Sequence, residues 1–174
     1  MRICVLADTH LFVPLSIQAM NEMNHVDLFV HLGDCYIDAK KIHELTGLPY
    51  KAVRGNKDWN VEMPDVDFWD IEGVKIMATH GHLEDVNPYD PPEERQKKFE
   101  KLARVAKMKG ARLVLYGHNH LAEKFYVDEI LFFNPGEMVY GCKRSTYGIL
   151  EISEGKFSLE NVEVIPDASI KWQP

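Results

Sequence analysis

Of the eight histidines in this 174-residue chain, five (His10, His80, His82, His118 and His120) stand directly behind short apolar runs, alongside Asp8, Asp34 and Asn56. Neutral imidazole and carboxylate together suit Mn, Fe, Co, Ni or Zn, whereas an all-oxygen set would suit Mg or Ca. Seven candidate ligands, Asp8, His10, Asp34, Asn56, His80, His118 and His120, are too many for one tetrahedral zinc and fit two metals sharing a carboxylate. Each residue alone has a plainer reading, since a lone histidine is usually a satisfied structural residue and an aspartate after a strand often caps the next helix. Recurrence at five separate run ends is what carries the metal reading. His82 is expected to touch a ligand histidine or the substrate. The three cysteines, Cys4, Cys35 and Cys142, are widely spaced with no CxxC. They disfavour a structural zinc cluster and read as reduced thiols of a cytoplasmic protein.

The elements that must position these residues follow from the runs themselves. Ile3–Ala7, Leu28–Leu32, Tyr50–Arg54, Val74–Thr79 and Leu113–Tyr116 are short, rich in Val, Ile and Leu, and closed by glycine or a polar residue, which predicts buried strands. Helical spacing predicts helices over Pro14–Asn24, Asp38–Leu45 and Pro92–Lys109, the last with Phe99, Leu102, Ala103 and Ala106 on one face. Behind Gly117 the texture changes to hairpins, Phe125–Val127 with Ile130–Phe133 and Thr146–Ile152 with Lys156–Val164. The expected fold is α/β: a two-layer mixed β-sheet sandwich flanked by helices, in α-β-β-α order, forming a single domain over residues 1–174. Ligands of such folds sit beyond the carboxyl ends of the strands, where the histidines are. Trp59–Asp70, Leu83–Pro92 and Glu137–Lys143 are the expected pocket walls.

A formal charge of −7 and a pI near 5.6 argue against a general nucleic-acid coat, which needs a basic footprint. They leave room for a phosphate ester at a metal centre, where the ion supplies the positive charge. No run approaches the ~20 apolar residues of a membrane span, so no membrane partner is expected. Glu93–Arg112 holds eight Lys/Arg against three Glu. The expectation is a solvated outer helix face, with a basic track for an anionic partner as the alternative.

The order Asp8-x-His10, Gly33-Asp34, Gly55-Asn56, Thr79-His80-Gly81-His82 and Gly117-His118-x-His120 resembles the calcineurin-like metallophosphoesterases. The short length, Gly55-Asn56-Lys57-Asp58 and Asn134-Pro135-Gly136 look like the small YfcE-type phosphodiesterase branch. The resemblance implies one ion held by Asp8, His10, Asp34 and His120 and a second by Asp34, Asn56, His80 and His118, with Asp34 bridging. It implies two divalent ions, Mn2+ first, with Ni2+, Fe2+, Zn2+ or Co2+ as the others. The implied reaction is hydrolysis of a small phosphate ester, a diester above all, by in-line attack of a metal-bridging hydroxide. Many relatives read Gly-Asn-His where this chain has Lys57; that His is usually assigned to the leaving group. Lys57 is therefore a candidate phosphate contact or acid, its plainer reading an exposed loop lysine. Family habit implies a homodimer. Two rival readings are a non-enzymatic scaffold on the same fold, like the retromer subunit that resembles this family, and a metal-dependent nuclease.

Overall fold

Val-, Ile- and Leu-rich runs too short for helices form the strands of the computed structural model, which describes residues 1–142, 144–168 and 170. The order is β1 (Arg2–Leu6), α1 (Val13–Glu22), β2 (Leu28–His31), α2 (Tyr36–Thr46), β3 (Tyr50–Ala52), β4 (Val66–Ile71) and β5 (Val74–Thr79). After a single 3-10 turn at His82–Glu84 come α3 (Pro92–Met108), β6 (Leu113–Leu115), β7 (Ala122–Val127), β8 (Ile130–Pro135), β9 (Ser145–Ser153) and β10 (Lys156–Val164). They build two five-stranded sheets, ordered β10-β9-β1-β2-β3 and β4-β5-β6-β8-β7. In the first, β1, β2 and β3 are parallel and β9 and β10 close one side antiparallel. In the second, β5, β6 and β8 are parallel, with β4 and β7 antiparallel at the edges.

Alternation along the strands sorts the side chains into layers. Ile3, Val5 and Ala7 point into a core shared with Ile76, Ala78, Leu113, Leu115 and Phe133 of the other sheet. Cys4, Leu6 and Phe29 face the opposite way, onto Leu15 and Ala19 of α1 and Ile42 of α2. Met77, Val114 and Phe132 lie under Phe99, Leu102 and Ala106 of α3. The α-β-β-α sandwich expected from the sequence is therefore present.

The expectation had no strand at β4, and this is a correction. Val66 to Ile71 interleaves two aspartates with apolar residues, a polar texture that read as a pocket wall. It pairs with β5 across Glu72-Gly73, and its Trp69 is buried in the intersheet core. An edge strand tolerates such charges on its solvent side. The basic helix is tied to acids of this chain: Arg95 to Glu123, Lys98 to Asp90, Lys101 to Glu84 and Lys107 to Glu129. No helix among the described residues is long and apolar enough to cross a membrane.

Gly148 on β9 leaves no room for a side chain between the sheets: a Cβ there would meet Phe133 Cε1 of the other sheet at 2.5 Å and Val5 Cβ of the neighbouring strand at 3.1 Å. Gly148→Ala is expected to destabilise the fold by about 1–3 kcal/mol through overpacking, read as a lower urea midpoint at unchanged m-value. A midpoint at or above that of the parent chain would contradict this packing.

Candidate metal centre

Parallel strands deliver the polar residues to one end of the sandwich. Asp8 and His10 follow β1, Asp34 follows β2, Asn56 follows β3, His80 and His82 follow β5, and His118 and His120 follow β6. Backbone bonds lock these ends together: Asp8 N–H donates to Gly33 O at 3.2 Å and Gly117 N–H to His80 O at 3.0 Å. Two further bonds stitch sheet to sheet, His118 N–H to Asp8 Oδ2 at 3.0 Å and His80 Nδ1–H to Leu32 O at 2.7 Å. Asp8, His10, Asp34, His118 and His120 all have positive φ, between 45° and 72°. Side chains with a Cβ adopt this region at a cost, and clusters of such residues mark sites where orientation matters more than backbone comfort. Gly81 needs its φ of 102° for the Thr-His-Gly-His turn. Gly117 is required by space, because a Cβ would sit 2.9 Å from Ala7 Cβ and 3.0 Å from Asp8 Oδ2.

Ligand-capable atoms gather in two overlapping groups, Asp8/His10/His120 and Asp8/Asp34/His80, each with all its atoms within 4.8 Å of one another. His10 Nε2 and His120 Nε2 face each other at 3.4 Å, and Asp8 Oδ1 lies 3.5 Å from His120 Nε2 and 3.9 Å from His80 Nε2. His80 Nε2 also lies 3.3 Å from Asp34 Oδ1 and 3.2 Å from Asn56 Oδ1. The His118 ring packs edge-on to that of His80, 5.1 Å between centroids. All seven candidate ligands thus gather in one crevice at the strand ends, and among the described residues the two groups share Asp8. The donor set passes a direct test for cations: Asp8 Oδ1 is buried without a hydrogen-bond partner. A buried carboxylate oxygen is costly to leave unpaired, so a cation is its natural complement.

Burial pushes the Asp8 carboxyl up, against the lowering pull of His80 and His120. Burial also opposes ionisation of Asp34, but the His80 hydrogen bond and charge and the Lys57 N–H hold its pKa at about 2. Desolvation, reinforced by His80, lowers His118 to about 4, so its imidazole is neutral at pH 7. Neutral imidazole is the form that ligates metal.

His82 stands apart from the seven, with Nε2 3.5 Å from Asp65 Oδ1, a carboxylate that Arg54 grips through both oxygens. Its ring lies 5.5 Å from that of His80. Lys57 is exposed and reaches the site through its backbone, whose N–H donates to Asp34 Oδ1 at 2.9 Å. Asp58 closes the turn, accepting from Gly55 N–H and Tyr36 N–H. Of the expected walls, Trp59, Leu83 and Tyr89 are exposed, while Lys143 lies outside the described residues. Sequence reasoning placed Glu137 only at the start of an expected pocket wall; its Oε2 accepts from His120 Nδ1 at 2.6 Å. No spacing signals this pair, because the partners are 17 positions apart on different loops. His31 is the hydrogen-bonded core histidine the sequence suggested: Gly33 N–H donates to Nδ1, so Nε2–H faces Thr9 Oγ1, which in turn donates to Asp38.

Comparisons with known proteins find matches in both sequence and fold. The calcineurin-like phosphoesterase superfamily domain matches residues 1–155. "Probable metallophosphoesterase YsnB" of Bacillus subtilis is 29% identical over 160 residues, covering 87% of this chain and 85% of that protein. "Phosphodiesterase YfcE" of Escherichia coli is 30% identical over 132 residues, 69% of this chain and 63% of that protein. A zinc-complexed Vps29 from Entamoeba histolytica shares the fold, with a TM-score of 0.69 at 20% identity over 94% of this chain and 99% of that one.

Burial lowers the His31 pKa to about 4, from an ordinary value of 6.5. Between those values the unfolded chain binds a proton that the folded chain refuses, so this contribution is intact above pH 6.5 and lost as pH falls towards 4. It amounts to roughly 3 kcal/mol over the window. Urea unfolding in the presence of a chelator should show stability falling more steeply with acidification in the parent chain than in His31→Gln. Parallel pH profiles would contradict a neutral buried His31.

Proposed function

Since the chain belongs to the calcineurin-like phosphoesterase superfamily, in its small YfcE-type branch, we propose that it is a dinuclear metal-dependent phosphodiesterase acting on a small phosphate ester. The buried, unpartnered Asp8 Oδ1 between His80 and His120 is the observation that carries the proposal. Asp8, His10, Asp34 and His120 would hold one ion, and Asp34, Asn56, His80 and His118 the other. Asp34 is proposed as the shared carboxylate from the family resemblance, and its Oδ1 lies 3.3 Å from His80 Nε2. Two divalent ions there would activate water at neutral pH and neutralise phosphoryl charge. Mn2+ is proposed from the family resemblance, since nitrogen and oxygen donors without thiolate also suit Zn2+, Fe2+, Co2+ and Ni2+.

The chain's own residues prepare this chemistry. His80 Nδ1–H is committed to Leu32 O, which leaves Nε2 to point into the crevice. Asp34 is ionised and His118 neutral at pH 7. Lys57 spends its N–H on Asp34 and keeps its side chain in solvent, so no imidazole stands at that position to protonate a leaving group. Esters with leaving groups of low pKa, such as aryl diesters, are therefore the preferred substrates. His82, held towards Asp65, is proposed to orient substrate. The proposal treats the chain as one domain of a cytoplasmic enzyme, supported by the core both sheets share and by free Cys4, Cys35 and Cys142. A homodimer rests on the family resemblance. The scaffold reading is supported by fold likeness to Vps29, and the nuclease reading is weakened by the acids paired with Arg95, Lys98, Lys101 and Lys107 of α3.

Chelated protein should be inactive on an aryl phosphodiester and regain turnover with Mn2+. Asp34→Ala is expected to strip both ions and Asp8→Ala only the one beside His10 and His120, while His82→Ala keeps both and loses on the order of 10–100-fold in rate. Full activity of metal-free protein would overturn the enzyme mechanism. Loss of both ions from Asp8→Ala, with one retained by Asp34→Ala, would move the shared role to Asp8.

A further inference from the structure

His120 is the most exposed of the ligand-capable histidines in the two groups, its side chain 38% accessible, and it sits on a backbone with a φ of 62°. Packing alone does not hold such a ring. His80, by contrast, is fully buried and has its Nδ1 fixed by a backbone carbonyl, Leu32 O. At His120 the equivalent partner is a side chain: Glu137 Oε2 accepts from Nδ1 at 2.6 Å, the length of a charge-assisted bond.

The loop bearing Glu137 is itself immobilised on both sides. Glu137 O accepts from Thr146 N–H at 2.9 Å, and Met138 N–H donates to Asp8 O at 3.3 Å. Just before it, Gly136 has a φ of 85° and no room for a Cβ, which would meet Thr146 Oγ1 at 2.0 Å. Asn134 Oδ1 accepts from Gly136 N–H and its amide donates to Asn119 Oδ1, so the Glu137 loop and the His118–His120 turn are one hydrogen-bonded unit. Arg144, which lines the same cavity of about 460 Å³ beside His120, leans towards Glu163 at 3.8 Å.

We infer that Glu137 is a positioning residue for the ion on the Asp8/His10 side: it holds His120 as the Nδ1–H tautomer, aims Nε2 at the crevice and makes that nitrogen a stronger donor. A carboxylate polarises the imidazole more than a carbonyl does, so the two histidines His80 and His120 are tuned unequally by design of their partners. The inference rests on the proposed two-ion reading and concerns one ion only.

The test is metal affinity, measured by competition with a chromophoric chelator for Mn2+ and Zn2+, on the full chain and on Glu137→Ala and Glu137→Gln. Glu137→Ala should weaken one of the two bound ions about 10–100-fold and leave the other unchanged. Glu137→Gln keeps an acceptor without the charge and should recover part of that loss. In metal-free protein, 15N-detected imidazole spectra should show His120 protonated at Nδ1 in the parent and in Glu137→Gln, and at Nε2 to a large extent in Glu137→Ala. Two ions bound by Glu137→Ala with parental affinity, or an unchanged His120 tautomer, would overturn the inference alone. A parent chain that binds neither ion would instead sink the two-ion reading on which it rests.

Discussion

The structure depends on one buried carboxylate at the seam of two sheets. Asp8 has no exposure to solvent, and its two oxygens are treated differently. Oδ2 takes the His118 N–H from the opposite sheet, while Oδ1 faces imidazoles and has no hydrogen-bond partner. A charge placed there is tolerable only if other charges compensate it. The strand ends, the turn glycines and the histidines are arranged so that this compensation can come from cations in the crevice.

Three of the five ligand-bearing turns are backed by an acid of their own. Asp38 accepts from Thr9 Oγ1 and Leu11 N–H and so holds the turn that carries Asp8 and His10. Asp58 accepts from Gly55 and Tyr36 and fixes the turn that carries Asn56. Glu123 gathers Tyr116 Oη, Asn119 Nδ2 and Arg95 behind the turn that carries His118 and His120. These networks lie behind the crevice, where they stabilise the left-handed backbone without competing for the ligand atoms. That division lets strained loops stay in one conformation, which is what a preorganised centre requires.

Much of this was legible in the chain because strand ends announce themselves. Five apolar runs closed by glycine or polar residues located both the strands and the crevice, and the helical face of Phe99, Leu102 and Ala106 located α3. What stayed hidden was set by pairing across distance. The alternating charges of Val66–Ile71 make sense only at a sheet edge beside β5. The Glu137–His120 bond joins loops whose proximity follows from β6 lying next to β8. The ion pairs of the basic helix likewise needed the positions of Glu84, Asp90, Glu123 and Glu129 in space.

The most direct measurement of the central claim is a crystal structure of the protein equilibrated with Mn2+, with data collected for anomalous scattering at the metal edge. The account predicts two anomalous peaks in the crevice, one coordinated by His10 and His120 and one by Asn56, His80 and His118, joined by a shared carboxylate. A crevice with no anomalous peak, or a single peak equidistant from His10 and His80, would contradict it.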